Sequence, residues 1–429
     1  MAKPLTVVRG TKQKQTELSP IHDFAAKLTQ PSVIEQLRAY VGWQVESRRQ
    51  RAAGKSLDEV LALAEAPELS PVSINLDLTT ACNYRCDHCV DMDILNTGIR
   101  YDDDRLFEAL TRMQERGLRS VIVIGGGEPT LYPRFAEIIR HMKALRLKVG
   151  IVSNGSRLDK ILEVADVFEA EDWVRLSLDS GSDATFQAMH KPRKGVDLDF
   201  ICAGVAPVKQ KNPKLTLGFS YIIVWDDCHA NDAAIHPNVD EMVMAAERAK
   251  RAGFDYISFK PFLTRAERNN AEVVGLTQQE KRLAEVMVKI RQNVEQAKQL
   301  ADGRFRVIES TNLKVLENGT YLDYTEQPRT CHMTFFRQVL SPLGLFNCPV
   351  YRHVEQAKIG DKHAYAGLDE RRRTTRDALR LIETFDATSE CREVTCLYNH
   401  ANWYIEDLIE NPSKLEALAP SEERFDYFL

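Results

Sequence analysis

The sequence contains no long hydrophobic run. No stretch approaches the roughly 18 to 20 apolar residues that a membrane-spanning helix needs. The basic residues near the N-terminus are not followed by an apolar stretch of the kind found in secretory signals. Both absences favour a cytoplasmic protein and argue against a membrane partner.

An excess of positive charge is missing as well. The chain has 57 Lys and Arg against 62 Asp and Glu, which gives a formal net charge of −5. A broadly basic surface is therefore not expected, and neither is a nucleic-acid partner. Internal repeats and low-complexity tracts are absent, and the hydrophobic fraction of 44% is that of a globular protein. A length of 429 residues predicts two or three domains.

What the chain does have is cysteine, nine residues in all. In a long cytoplasmic protein, cysteines serve more often as metal ligands or catalytic thiols than as disulfides, because that compartment keeps thiols reduced. Their positions therefore decide most of what can be inferred about function.

Short apolar runs alternate with amphipathic stretches through the middle of the chain. The runs cover residues 73–78, 120–125, 148–153, 173–178, 216–224 and 256–262. Helical patterns separate them, for instance over 102–117 and 134–145. Six such alternations predict an α/β fold with a parallel sheet and helical crossovers. The sheet can close into a barrel or stay open, and in both cases functional side chains come from the carboxyl ends of the strands.

The flanking regions have different patterns. Residues 21–66 have helical periodicity, residues 276–300 predict a long polar helix, and a mixed, cysteine-bearing segment follows. We therefore predict four regions. They are a helical N-terminal extension (1–70), the strand–helix domain (71–270), a linker helix and connection (271–325), and a small C-terminal domain (326–429).

The first cysteine group is a C-x3-C-x2-C array of Cys82, Cys86 and Cys89, directly after the first predicted strand. Thiolates are the soft ligands that iron–sulfur clusters prefer, and three of them leave one iron of a [4Fe-4S] cluster open. The alternative is a zinc site completed by His88. No matching second C-x2-C pair is present to support it.

This spacing, on the loop after the first strand, resembles the radical S-adenosylmethionine (SAM) superfamily over about residues 73–265. The resemblance implies a partial (β/α)6 barrel whose [4Fe-4S] cluster is held by the three cysteines. It also implies that SAM binds the open iron and is cleaved to methionine and a 5'-deoxyadenosyl radical, with flavodoxin or ferredoxin as the reductant. His88 departs from the family pattern, which usually has an aromatic residue before the last cysteine.

A glycine-rich segment with a carboxylate follows the second strand. Gly126, Gly127 and Glu128 resemble the family's GGEP motif, which implies contacts with the amino group of SAM. The alternative is an ordinary glycine-rich turn.

Polar residues end the third and fourth strands, and the family resemblance implies that they face the ribose and carboxylate of SAM. They are Ser153, Asn154, Ser177 and Asp179. Such residues are also common turn-formers, which is the alternative. Near the end of the sixth strand, Lys260 and Arg265 are candidates to bind a carboxylate or a substrate anion, or are solvated loop cations.

Four further cysteines lie near the C-terminus, at Cys331, Cys348, Cys391 and Cys396. Two short predicted strands, joined by a turn at Pro342 and Gly344, bring the first two close together. The segment resembles the twitch domain, the single-cluster form of the SPASM domain. This implies a small α+β domain with one auxiliary [4Fe-4S] cluster. A four-thiolate zinc site is the alternative.

Two cysteines stand outside these groups. Cys202 lies in a predicted helix and is expected to be a buried small side chain. Cys228 follows the fifth strand, on a loop expected to border the active site. We hypothesise that it donates a hydrogen atom to a substrate radical, with a plain loop cysteine as the alternative.

The resemblance implies an enzyme that abstracts hydrogen from a C–H bond of its substrate. Oxidation, epimerisation and elimination all fit, so the oxidoreductase, isomerase or lyase type stays open. Because the N-terminal extension is helical rather than strand-rich, we favour a small molecule of sugar, aminocyclitol or nucleoside type. The alternatives are a maturase that modifies a ribosomally made peptide and, in another class, a non-catalytic iron–sulfur or zinc protein.

Overall fold

The computed structural model of the chain describes residues 20–63, 67, 70–230, 233–275 and 280–429. The strands are β1 Ser73–Leu76, β2 Ser120–Val123, β3 Lys148–Ser153, β4 Trp173–Ser177, β5 Thr216–Ile223, β6 His229–Ala230, β7 Ala233–Ala234, β8 Tyr256–Pro261, β9 Leu263–Arg265, β10 Glu272–Val274, β11 Arg306–Glu309, β12 Arg337–Ser341, β13 Gly344–Phe346 and β14 Lys358–Gly360. All six runs predicted as strands are confirmed, as β1 to β5 and β8.

Ten strands form one sheet in the order β11-β8-β5-β4-β3-β2-β1-β12-β13-β14. Pairing is parallel from β11 through to β12. The ends β11 and β14 do not meet, so the sheet is an open, partial barrel. The predicted α/β class is confirmed.

Seventeen α-helices lie in the described part of the chain. They are α1 Phe24–Leu28, α2 Ile34–Ala52, α3 Leu57–Leu63, α4 Asp103–Glu115, α5 Phe135–Ala144, α6 Leu158–Val164, α7 Asp183–His190, α8 Leu198–Ala203, α9 Val205–Lys211, α10 Met242–Ala252, α11 Glu280–Lys298, α12 Thr311–Glu317, α13 Met333–Phe336, α14 Leu368–Thr384, α15 Ala387–Glu390, α16 Asn399–Glu410 and α17 Pro412–Glu416. None of them is both long and apolar enough to cross a membrane. The start of the predicted helix over 276–300 lies outside the described residues.

Side chains alternate across the barrel strands, as β4 illustrates. Val174 and Leu176 are fully buried in the apolar core that the helices cover. Trp173, Arg175 and Ser177 point to the opposite side, toward the interior of the barrel, and keep part of their surface accessible. The interior is therefore not completely filled by protein, and polar side chains line it.

The C-terminal hairpin continues the barrel sheet. Strands β12 and β13 pair in antiparallel fashion around the predicted turn, and β12 also pairs in parallel with β1, with Ser73 opposite Arg337. The division into four domains stays a prediction, because one sheet takes strands from three of the four proposed regions, with β11 in the proposed linker. Strand β11 was not predicted, since its apolar run has only the two residues Val307 and Ile308.

The N-terminal helices pack on the end of the chain. Helix α2 contacts α16, where Arg48 forms two hydrogen bonds with Glu406 at 2.7 and 2.8 Å. The residues after α17 then return to the amino-terminal end of the barrel. There the Lys27 amine donates to the carbonyl of Phe428 at 2.7 Å, and the Phe428 ring lies 5.4 Å from Trp173. Protein thus covers this end of the barrel.

Candidate cluster and cofactor site

The loop after β1 carries the first three thiols at the carboxyl end of the sheet. Cys82, Cys86 and Cys89 are free and partly buried. Burial raises the pKa of the Cys86 thiol, and negative charge on Cys89 and Cys82 raises it further. The three sulfur atoms are therefore close enough to feel one another's charge.

The spacing of the sulfur atoms distinguishes a cluster from a single ion. Among the described residues, no three thiols have sulfur atoms that all lie within 4.8 Å of one another. Ligands around one tetrahedral zinc ion, bound at about 2.3 Å, would meet that limit. A polynuclear iron–sulfur cluster needs a wider set of thiolates, so the donors present fit it better.

His88 contacts a carboxylate rather than the thiols. Its Nε2 lies 3.1 Å from Oδ2 of Asp179, a buried residue just past β4. His190 Nε2 lies 3.4 Å from the same oxygen, and His190 Nδ1 lies 3.2 Å from the sulfur of Cys86. Burial alone would raise the pKa of Asp179, but the bond from His88 and the charge of His190 outweigh it, so the pKa is lowered. The carboxylate is ionised next to the cysteine loop, and the zinc alternative loses its fourth ligand.

Glu128 ties the ends of β2 and β3 together. Its Oε1 accepts from Ser153 Oγ at 2.8 Å, and from the backbone N–H and hydroxyl of Thr130 at 3.0 and 2.6 Å. Its Oε2 accepts from the backbone N–H of Asn154 at 2.7 Å. The Asn154 side-chain amide donates to Asn83 in the cysteine loop at 2.9 Å. Three residues predicted from sequence therefore form one network beside that loop.

Gly127 is where the cysteine loop passes closest to this network. A Cβ atom at Gly127 would lie 2.2 Å from the carbonyl oxygen of Ala81, the residue before Cys82. The backbone N–H of Glu128 donates to that carbonyl at 2.8 Å. Only glycine leaves room for this approach.

Replacing Gly127 by Ala is expected to lower the free energy of unfolding by about 1 to 3 kcal/mol, because the added methyl forces two backbone segments apart. Urea titration measures the effect. Gly42→Ala is the matched control, since Gly42 is exposed in α2 with no atom within 4 Å of an added Cβ. It is expected to stabilise by about 0.5 to 1 kcal/mol. Equal behaviour of the two variants would contradict the close approach.

The remaining sequence candidates lie in different surroundings. Ser177 ends β4 and is partly accessible on the interior side. Cys228 is buried, 4% exposed, in the main apolar core, where burial raises its thiol pKa to about 12. This burial favours the plain-cysteine alternative over hydrogen-atom donation. Cys202 is half-buried on α8. Arg265 is held by backbone carbonyls, including those of Val90 and Val350 at 3.2 Å.

Sequence reasoning missed a buried charge network between the two cysteine groups. Arg352 reaches Asp77, just past β1, at 3.1 Å, and Asp91, in the cysteine loop, at 3.2 Å. His353 lies within 3.6 Å of both carboxylates. Asp91 also accepts from the backbone N–H of Gly126 at 3.1 Å. The segment after Cys348 thus holds the loop of Cys89 in place.

The four C-terminal thiols line one cavity in the described part of the chain. They are Cys331, Cys348, Cys391 and Cys396. Burial raises the pKa of Cys391, and charge on the other three raises it further. Four converging free thiols, none part of a disulfide, fit a second metal group. Their sulfur spacing is again wider than one zinc ion requires.

Comparison with known proteins gives a matching family model and partial similarities to curated proteins. A family model described as the radical SAM superfamily matches residues 76–263. An S-adenosylmethionine-dependent nucleotide dehydratase from Thermoplasmatales archaeon (strain ISO4-H5) is 37% identical over 112 residues, 26% of this chain and 39% of that protein. The mycofactocin maturase MftC of Mycobacterium tuberculosis (strain CDC 1551 / Oshkosh) is 34% identical over 119 residues, 26% of this chain and 29% of the relative.

A solved structure resembles nearly the whole chain. The crystal structure of Streptococcus suis SuiB covers 96% of this chain and 94% of its own, with a TM-score of 0.52 and 13% identity. At that identity the likeness concerns the fold alone. The chain spans less than half the length of the curated relatives it matches.

Proposed function

We propose that this protein, whose residues 76–263 match a family model described as the radical SAM superfamily, cleaves SAM reductively and uses the 5'-deoxyadenosyl radical to abstract hydrogen from a small molecule. The observation that carries the proposal is the open set of three thiols after β1, beside the network of Glu128. In this proposal, Cys82, Cys86 and Cys89 hold a [4Fe-4S] cluster. The cluster supplies the electron for SAM cleavage when it is bound.

The protein's own residues have separate tasks in this proposal. Gly126 and Gly127 let the backbone approach SAM, while Glu128 fixes the ends of β2 and β3 that border it. Asp179, ionised and buried just past β4, is proposed to accept hydrogen bonds from ribose hydroxyls of SAM. Ser177, Ser153 and Asn154 complete the polar rim.

We also propose that Cys331, Cys348, Cys391 and Cys396 hold an auxiliary [4Fe-4S] cluster, as in a twitch domain. Their convergence on one cavity supports this. With all four iron ligands supplied by the protein, such a cluster carries electrons rather than binding substrate. This favours an oxidative outcome, with an external reductant such as flavodoxin or ferredoxin.

The proposed substrate class is supported by the packing of the N-terminal helices and by similarity to curated proteins. Helices α1 and α2 pack on α16, and α3 packs on α14, rather than forming a strand-rich module that a peptide could extend. The similarity to a protein named as a nucleotide dehydratase favours a small molecule of nucleoside type. The similarity to a protein named as a maturase supports a peptide substrate as the second candidate.

The test is anaerobic reconstitution with iron and sulfide, reduction, and chromatographic assay of 5'-deoxyadenosine formed from SAM. We expect slow formation without substrate and faster formation with a suitable small molecule. Protein that holds its iron but never forms 5'-deoxyadenosine would rule out the proposal. Acceleration by a peptide and by no nucleoside or sugar would favour the maturase alternative.

A further inference from the structure

Two cations share the interior face of the barrel. Arg175 lies on β4, two residues before Ser177, and Ser177 pairs in register with Ser220 on β5. The Lys260 amine, on β8, donates to the Ser220 hydroxyl at 3.3 Å, which fixes it on the same face. Both cations keep part of their surface accessible in the unfilled interior.

Neither cation has an acidic partner among the residues that the structure describes. Within the described ranges of the chain, no carboxylate lies at ion-pair distance from Arg175 or Lys260, and Arg175 Nε is buried without a hydrogen bond. Arg175 contacts the ring of Trp173, 5.4 Å from its centroid. By contrast, three other buried cations are paired with carboxylates. They are Lys27 with Asp426, Lys143 with Asp172, and Arg352 with Asp77 and Asp91. Arg337, also buried, donates instead to the side-chain oxygen of Asn75.

Positive charge at this place lowers the pKa of the groups around it. The pKa of His22, from the N-terminal extension, is lowered to about 3 by burial and then by Lys27, Lys260 and Arg175. Burial and the charge of Arg175 lower the pKa of Lys260 well below its ordinary value, and Asp179 opposes this only in part. Unpaired charges in a protein interior are destabilising, so they are expected where a ligand pairs with them.

We propose that Arg175 and Lys260 bind an oxyanion of the substrate, a phosphate or carboxylate group, inside the barrel. The Ser220 hydroxyl, which accepts from the Lys260 amine, borders the same place. The assignment of the anion to a substrate rests on the proposed function, whereas the existence of the anion site does not. It narrows the substrate to a molecule that carries a negative charge.

The depth of Arg175 in the barrel distinguishes the proposed substrate oxyanion from the carboxylate of SAM. Arg175 lies two residues before Ser177, about 7 Å along β4 in the direction away from the cysteine loop. Lys260 is in register with Ile222, whose backbone N–H donates to Asp179, so it lies nearer the mouth of the barrel. In this proposal the anion at Arg175 belongs to a second molecule, deeper in the barrel than SAM.

The test uses cluster-loaded protein with SAM bound and inorganic phosphate or pyrophosphate as the probe, followed by titration calorimetry. Arg175→Met and Lys260→Met are each expected to weaken pyrophosphate binding by roughly 10- to 100-fold, the effect of losing one charge-assisted hydrogen bond. The affinity for SAM should change less than twofold. Arg304→Met, at an exposed position, is the matched control and should leave both affinities unchanged.

A stability measurement separates ligand binding from a structural role. Because each charge is unpaired, both methionine variants should unfold at the same temperature as the parent protein or higher, and pyrophosphate should stabilise the parent more than the variants. Unchanged pyrophosphate binding in the double variant would overturn the inference. Weakened SAM binding with unchanged pyrophosphate binding would instead assign the cations to the SAM carboxylate, which also overturns it. Absence of 5'-deoxyadenosine from the parent protein would refute the proposed function while leaving the anion titration interpretable.

Discussion

Replacing Cys86 by Ala is expected to abolish 5'-deoxyadenosine formation and to lower the bound iron from about eight to about four atoms per chain. Two thiolates cannot hold the open cluster, whereas the C-terminal group is untouched. Iron analysis and chromatographic assay on anaerobically reconstituted protein measure both quantities.

Two matched variants make this result specific. Cys391→Ala should also lose about four iron atoms but keep substrate-independent 5'-deoxyadenosine formation, because it affects only the proposed auxiliary cluster. Cys202→Ala, a half-buried thiol on α8, should lose neither iron nor activity. If Cys86→Ala retained full iron and activity, the assignment of the first three cysteines would be wrong.

Replacing Arg352 by Met is expected to lower the free energy of unfolding by about 3 to 5 kcal/mol, the usual cost of leaving buried charge without its partner. Arg352 pairs with two carboxylates, Asp77 and Asp91, both at least 93% removed from solvent. Urea titration under anaerobic conditions at fixed pH measures the change.

The surface pair Arg49 and Glu46 supplies the control for this variant. Both side chains are exposed, so Arg49→Met should change the free energy of unfolding by no more than about 1 kcal/mol. Adding Asp91→Asn to Arg352→Met should restore part of the loss, because it removes one unpaired charge. A cost for Arg352→Met no larger than that for Arg49→Met would show that the network contributes little.

The parts of the fold that could be predicted are those whose signal is local. Strands such as β3 and β4 stand out because apolar residues at alternate positions must be covered by helices. The C-x3-C-x2-C spacing is likewise contained in one short loop. Glu128, Ser153 and Asn154 were predicted as separate strand-end residues, and the fold brings them into one network.

The parts that could not be predicted depend on residues far apart in the chain. Arg352 follows Cys348 in the sequence, yet its partners are Asp77 and Asp91, and no local pattern pairs them. No sequence pattern marks His190, at the end of α7, as a functional residue. It contacts Cys86 only because of the fold. Arg175 is recognisable in the sequence as a charged residue inside an apolar strand, but only the structure reveals that it has no counter-ion among the residues described.

The parallel pairing of β1 with β12 has a consequence for how the chain is made. Ser73 aligns with Arg337, so more than half of the chain separates two neighbouring strands. Synthesis adds about 5 to 20 residues per second. One edge of β1 therefore stays unpaired until β12 has left the ribosome. Contacts this distant in sequence also form slowly. Iron delivered to Cys82, Cys86 and Cys89 before that moment meets a loop that lacks its contacts with Arg352. Cluster insertion is therefore expected to follow the emergence of Arg352 from the ribosome rather than that of the cysteine loop.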